Sequence, residues 1–143
     1  MSRINMGRVI LGGLLAGLVI NISEFILNMV VVGKQMEEAV AKLGLPPVGG
    51  AAIGMFTVLC FVLGIVMIWL YAAIRPRYGA GPATAVRAGV AVYFLSYVYP
   101  SLGTLAMGMF PGQLISIGLV WGFVEVMIAA VAGAWVYKEA PAA

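Results

Sequence analysis

The sequence predicts an all-α integral membrane protein: a four-transmembrane-helix bundle with a short interfacial helix in the first outward loop. Three observations predict it. Hydrophobic residues make up 64% of the 143 and charged residues only 9%, whereas a soluble domain is about half apolar and a quarter charged. Four apolar stretches are each long enough to cross about 30 Å of hydrocarbon at a rise of about 1.5 Å per residue. The basic residues gather beside alternate ends of those stretches. A single membrane domain over residues 1–143 is expected.

The first span is read as residues 9–32. Arg3 and Arg8 precede it as they would a secretory signal. The apolar run is longer than a signal's core and no A-x-A cleavage site follows, so it is expected to be retained. Next comes the one sizeable polar loop, 33–50. Its KQMEEAVAKLG places Met36, Val40 and Leu43 at helical spacing, with Lys34/Glu38 and Glu38/Lys42 as i,i+4 pairs. Gly44, Pro46 and Pro47 stop that helix. It is expected to lie along the membrane surface.

The second span, 51–74, holds no charge. A tight basic turn, RPRYGAGP, leads to the third span, 88–110, with Pro82 near a first helical position. Pro100 near the middle of that span should kink it, because proline removes a donor and clashes with the preceding turn. The turn at Pro111–Gly112 makes a hairpin with the fourth span, 113–137. Arg3, Arg8, Arg75, Arg77, Arg87 and Lys138 fall on one side; Lys34 and Lys42 fall on the other. The positive-inside rule then puts both termini in the cytoplasm, which suits an even number of spans. The net charge of +3 is therefore a topology signal, and the expected partner is the lipid bilayer rather than nucleic acid.

The stretch YAAIRPRYGAGPATA and the ending GAWVYKE resemble a group of small four-span bacterial membrane proteins that carry no established activity. The resemblance covers most of the chain and implies a four-helix membrane fold in a bacterial inner membrane. A Glu in the first of four spans is also similar to the small multidrug-resistance exporters. That likeness is an analogy of plan alone: the surrounding sequence differs and the first loop is longer than theirs.

Two glutamates fall inside spans, Glu24 in the first and Glu125 in the fourth, while all eight Lys and Arg lie in loops or at span ends. An acid at that depth costs about 2.5–3.5 kcal/mol on the insertion scale. It must bind a proton, reach water or hold a cation. Along the first span Gly13, Gly17, Asn21, Glu24 and Asn28 form one stripe; along the fourth Gly118, Gly122, Glu125 and Ala129 form another. Each contains a G-x-x-x-G pair, which lets helix backbones approach. Glu24 lies about 24 Å from Arg8 and Glu125 about 20 Å from Lys138 by helical rise, so a shared layer at one depth is expected. Tyr97 or Ser101 from the third span and Thr57 or Cys60 from the second are placed to join it. Two functions fit: hydrogen-bonded glue between helices, or proton or cation exchange by coupled acids.

Arg75, Arg77 and Arg87 around Tyr78 could contact an anionic lipid headgroup. Trp69, Tyr71, Tyr78, Trp135 and Tyr137 read as interface anchors. Trp121 reads as packing, or as a ring on which an organic cation could stack. With no His, no Asp and one Cys, imidazole triads and Cys-rich metal sites are excluded within one chain. No enzyme, cofactor or metal is expected. The expected function is a non-enzymatic multi-pass membrane module, either self-associating as a homo-oligomer or serving as an accessory subunit beside a membrane-protein partner. The rival is a small proton- or cation-coupled transporter using Glu24 and Glu125.

Overall fold

A computed structural model describes residues 3–140. The described residues are mainly helical, in the order α1 (Met6–Ile26), α2 (Gly33–Lys42), α3 (Gly50–Tyr78), α4 (Pro82–Tyr93), α5 (Tyr99–Ala106) and α6 (Gly112–Val136). Wide π-helical turns, Leu27–Val31 and Phe94–Val98, continue α1 and join α4 to α5. Four helices are thus long and apolar enough to cross a membrane: Met6–Val31, Gly50–Tyr78, Pro82–Ala106 and Gly112–Val136. Hydrogen-bonded helices are what such apolar segments must form, because lipid offers no partners to bare backbone groups.

The ends of the elements have local causes. Asn5 caps α1, its Oδ1 accepting from the Arg8 N–H at 3.2 Å. α3 runs a turn beyond the expected Ile74, through Pro76 to Tyr78. Proline so near a helix end removes only one bond, and the Gly79 N–H still closes the turn on the Arg75 carbonyl at 2.8 Å. Gly79 (φ 84°) and Gly81 (φ 129°) then reverse the chain in conformations that side chains disfavour. The Gly81 N–H donates to the Tyr71 hydroxyl at 3.2 Å. Pro82 opens α4 at a first helical position, as expected, and the apolar stretch read from residue 88 continues that helix.

Both wide turns have visible reasons. Pro100 lacks an N–H, and the ladder before it relaxes so that the Tyr99 N–H reaches the Phe94 carbonyl. In the first span no proline is present. There the Asn28 side chain donates to the Glu24 carbonyl at 2.9 Å and competes with the backbone ladder. The Val32 N–H bonds to the Leu27 carbonyl at 2.9 Å instead.

Glycines set how closely the spans pack. α1 lies between α3 and α6. A Cβ on Gly17 would come within 2.6 Å of the Phe61 Cα, and one on Gly12 within 2.5 Å of the Gly133 carbonyl oxygen. Gly64 meets the backbone of Gly13 and Gly17. Gly118, expected to mediate a close approach, faces open space, and Gly122 faces the Tyr97 ring rather than a helix backbone. The fully buried side chains include Val9, Ile20, Met67, Ile68, Thr84 and Val126.

These residues place the core toward the end of the bundle that carries both termini. Tyr137 is central there: its hydroxyl accepts from the Asn5 N–H at 3.4 Å, and its ring meets Tyr71 edge-on at 5.8 Å. Arg75 stacks over the same ring at 5.6 Å and pairs with Glu139 at 3.5 Å. Phe56, Leu59, Leu95, Tyr99 and Leu102 are all exposed, as expected of groups that face acyl chains. The helix expected in the first loop is present as α2, and Ala39 packs with Leu27, Val32 and Leu114. Among the described residues the one ion pair is Arg75–Glu139; the i,i+4 pairs expected along α2 do not close.

Candidate functional site

The two intramembrane acids meet at one phenol. Glu24 comes from the last turns of α1, Glu125 from the middle of α6, and Tyr97 from the wide turn between α4 and α5. The Tyr97 hydroxyl donates to Glu125 Oε1 and lies 3.3 Å from Glu24 Oε1. A phenol has one hydrogen. The closer contact, to Glu125, takes that hydrogen more fully than the contact to Glu24. Glu24, Tyr97 and Glu125 thus form one polar line across three spans.

Neighbouring groups hold this line in place. Asn28 Nδ2 donates to Glu24 Oε2 at 2.8 Å as well as to the Glu24 carbonyl. Tyr97 stacks on Tyr93 with centroids 5.7 Å apart, and its ring lies against Gly122, where any side chain would collide with it. Tyr93 in turn donates to the Leu119 carbonyl at 2.9 Å. The wide turn at Phe94–Val98 therefore does chemical work: it sets Tyr97 at the depth of both acids.

Glu125 is almost fully buried, 3% exposed, and its Oε2 has no hydrogen-bond partner. Beside it a groove of about 620 Å³ runs along the flank of α6. Ser116, Ile117, Val120, Trp121, Val124 and Ile128 form its wall, with Ser23 of α1 at its edge. The Trp121 indole donates to Ser23 Oγ at 2.8 Å and ties the two helices together.

Not every residue expected in the layer is there. Asn21 turns toward α3, donating to the Gly17 and Thr57 carbonyls at 3.0 and 3.2 Å. Ser101 lies a turn beyond Tyr97, and its carbonyl accepts from Thr104 at 3.0 Å. Of the three arginines, Arg75 pairs with Glu139 and Arg87 stacks over Tyr78 at 4.8 Å, while Arg77 occupies the last turn of α3. The Ser23–Trp121 link is new. Its signal in the sequence is faint: Ser23 adjoins Glu24, and Trp121 precedes Glu125 by four residues, on the same helix face.

No known protein family, curated protein or solved structure matches this chain.

Proposed function

We propose that the chain is a non-enzymatic subunit of a larger membrane assembly, seated in a bacterial inner membrane with both termini cytoplasmic. The six basic residues beside the terminus-bearing side support that orientation, and α2 then lies at the outer surface. The observation that carries the subunit reading is Glu125. An acid whose second oxygen has no partner, beside an open groove on the flank of a span, is an unfinished polar centre. Polar groups in membranes are ordinarily satisfied within the bundle or by a neighbour. A complex extracted gently from native membranes and sized by mass should exceed the 15.0 kDa of one chain; a lone chain in native lipid would defeat the reading.

A second reading is favoured by the Glu24–Tyr97–Glu125 line, which resembles the acid chains of proton-coupled carriers. In that case Glu24→Gln and Glu125→Gln should each abolish proton flux into vesicles while the bundle still assembles. Equal flux from the wild-type protein and both variants would remove it.

A further inference from the structure

From the same groove we infer what the partner brings: a transmembrane helix of a different polypeptide, with one Lys or Arg at mid-membrane depth that pairs with Glu125. This deepens the subunit reading and rests on it. The groove follows a single helical face, Ser116 to Ile128, about 18 Å or three turns of α6. Val120, Val124 and Ile128 on that face are exposed by 70%, 53% and 57%, so a neighbouring helix would find apolar ridges to pack on. Beneath them sits a carboxyl with a vacant acceptor. Intramembrane acids characteristically pair with an opposite charge.

A second copy of this chain has no such charge to offer. Its eight Lys and Arg are Arg3, Arg8, Lys34, Lys42, Arg75, Arg77, Arg87 and Lys138. None is at the depth of Glu125; the nearest along α6, Lys138, is about 20 Å away by helical rise. The groups that already face Glu125 from the other spans, Tyr97, Glu24, Ser23 and Cys60, supply a phenol, an acid, a hydroxyl and a thiol but no positive charge. Glu125 is among the residues that line the groove, so a lysine or arginine would approach it from there. Its cation would donate to the vacant Oε2 and balance the charge of an ionised Glu125.

The test uses the full chain in lipid nanodiscs with Trp69→Phe and Trp135→Phe, so that Trp121 is the only fluorescent indole. Dansyl-labelled Leu/Ala transmembrane peptides are added, identical except for lysine or norleucine at the centre. Energy transfer from Trp121 should saturate with the lysine peptide at a concentration at least about tenfold below that for norleucine. Glu125→Gln should erase the preference. Val120→Phe, which keeps the acid, adds no indole and fills the groove, should abolish binding of the lysine peptide; it also serves if the Gln variant fails to fold.

Equal binding of the two peptides, or a preference that survives Glu125→Gln, would overturn the inference. So would quantitative homodimer cross-linking through Val120→Cys in a Cys60→Ser background, since a second copy would then fill the groove. A native complex whose assembly is indifferent to Glu125→Gln would sink this inference and leave the subunit reading standing. A chain that is monomeric in native lipid removes both.

Discussion

Gly12 and Gly133 meet backbone to backbone where α1 crosses α6. A Cβ on Gly12 would lie 2.5 Å from the Gly133 carbonyl oxygen, and one on Gly133 would lie 2.6 Å from that of Gly12. Neither obstacle is a flexible side chain, so the helices themselves must move to admit even a methyl group. Gly12→Leu and Gly133→Leu should each destabilise the bundle by about 1–3 kcal/mol or more, as overpacking does. Gly118→Leu, a change into open space, should fall within about 0.5 kcal/mol of the parent. Unfolding in mixed micelles would rank the three. A Gly118 variant as unstable as the Gly12 variant would contradict the packing described.

Tyr97→Phe removes the hydroxyl that links the acids and keeps the ring on Gly122. Glu125 then loses its hydrogen-bond donor, having already an unpartnered second oxygen. A loss of about 1–3 kcal/mol is expected for a buried polar group left unmatched. Tyr93→Phe gives up a single bond to a backbone carbonyl and should lose only about 0.5–1.5 kcal/mol. Comparable losses for the two variants would mean that the hydroxyl of Tyr97 has no special place.

Asn28→Leu tests the link between the wide turn in the first span and its acid. The substitution removes both donations from the Asn28 amide to Glu24. Interhelical and side-chain bonds in bilayers contribute about 0.6–2 kcal/mol, so the stability change should be modest. The backbone should respond more clearly: the turn at Leu27–Val31 is expected to tighten to ordinary helix. Amide exchange or carbonyl isotope-edited infrared spectra at these positions would report it, and unchanged spectra would show that the turn has another cause.

Trp121→Phe keeps an aromatic wall beside the groove and breaks the bond to Ser23. Ser23→Ala breaks the same bond from the other side. If the bond is what matters, the double variant should be no less stable than the worse single one, within about 0.5 kcal/mol. Simple addition of the two losses in a thermodynamic cycle would show that Trp121 and Ser23 act independently.

Much of this architecture is legible in the amino-acid order because lipid imposes a blunt rule. Apolar length alone marks the four spans, and Gly44, Gly79, Gly81 and Pro82 mark their punctuation. Pro100 announces a break in the third span, although the form of the break, a wide turn that carries Tyr97, follows from where the Tyr99 N–H finds a carbonyl. Faces are harder to read than lengths. In the first span Gly13 and Gly17 turn to α3 while Gly12, one residue away, turns to α6. Asn21 goes with the former, donating to the Thr57 carbonyl, and Glu24 goes elsewhere. A stripe drawn at spacings of three and four residues is too broad to separate two neighbours about 100° apart on one helix. The Gly118–Gly122 pair misleads for the same reason: its spacing fits close packing, but a tyrosine ring occupies the approach. The small residues Ala129, Ala130, Gly133 and Ala134 were the more informative signal, since all four are buried.

The clasp around Tyr137 bears on how the polypeptide could be rewired. The Asn5 amide and the Tyr71 ring both converge on it, and Arg3 pairs with Ala140 through the backbone. Arg3 and Ala140 are therefore neighbours, and the described bundle is nearly a closed ring. A circular permutant that joins the chain through those two residues and opens between Gly44 and Gly49, where added side chains meet nothing, should insert and fold to the same four crossings.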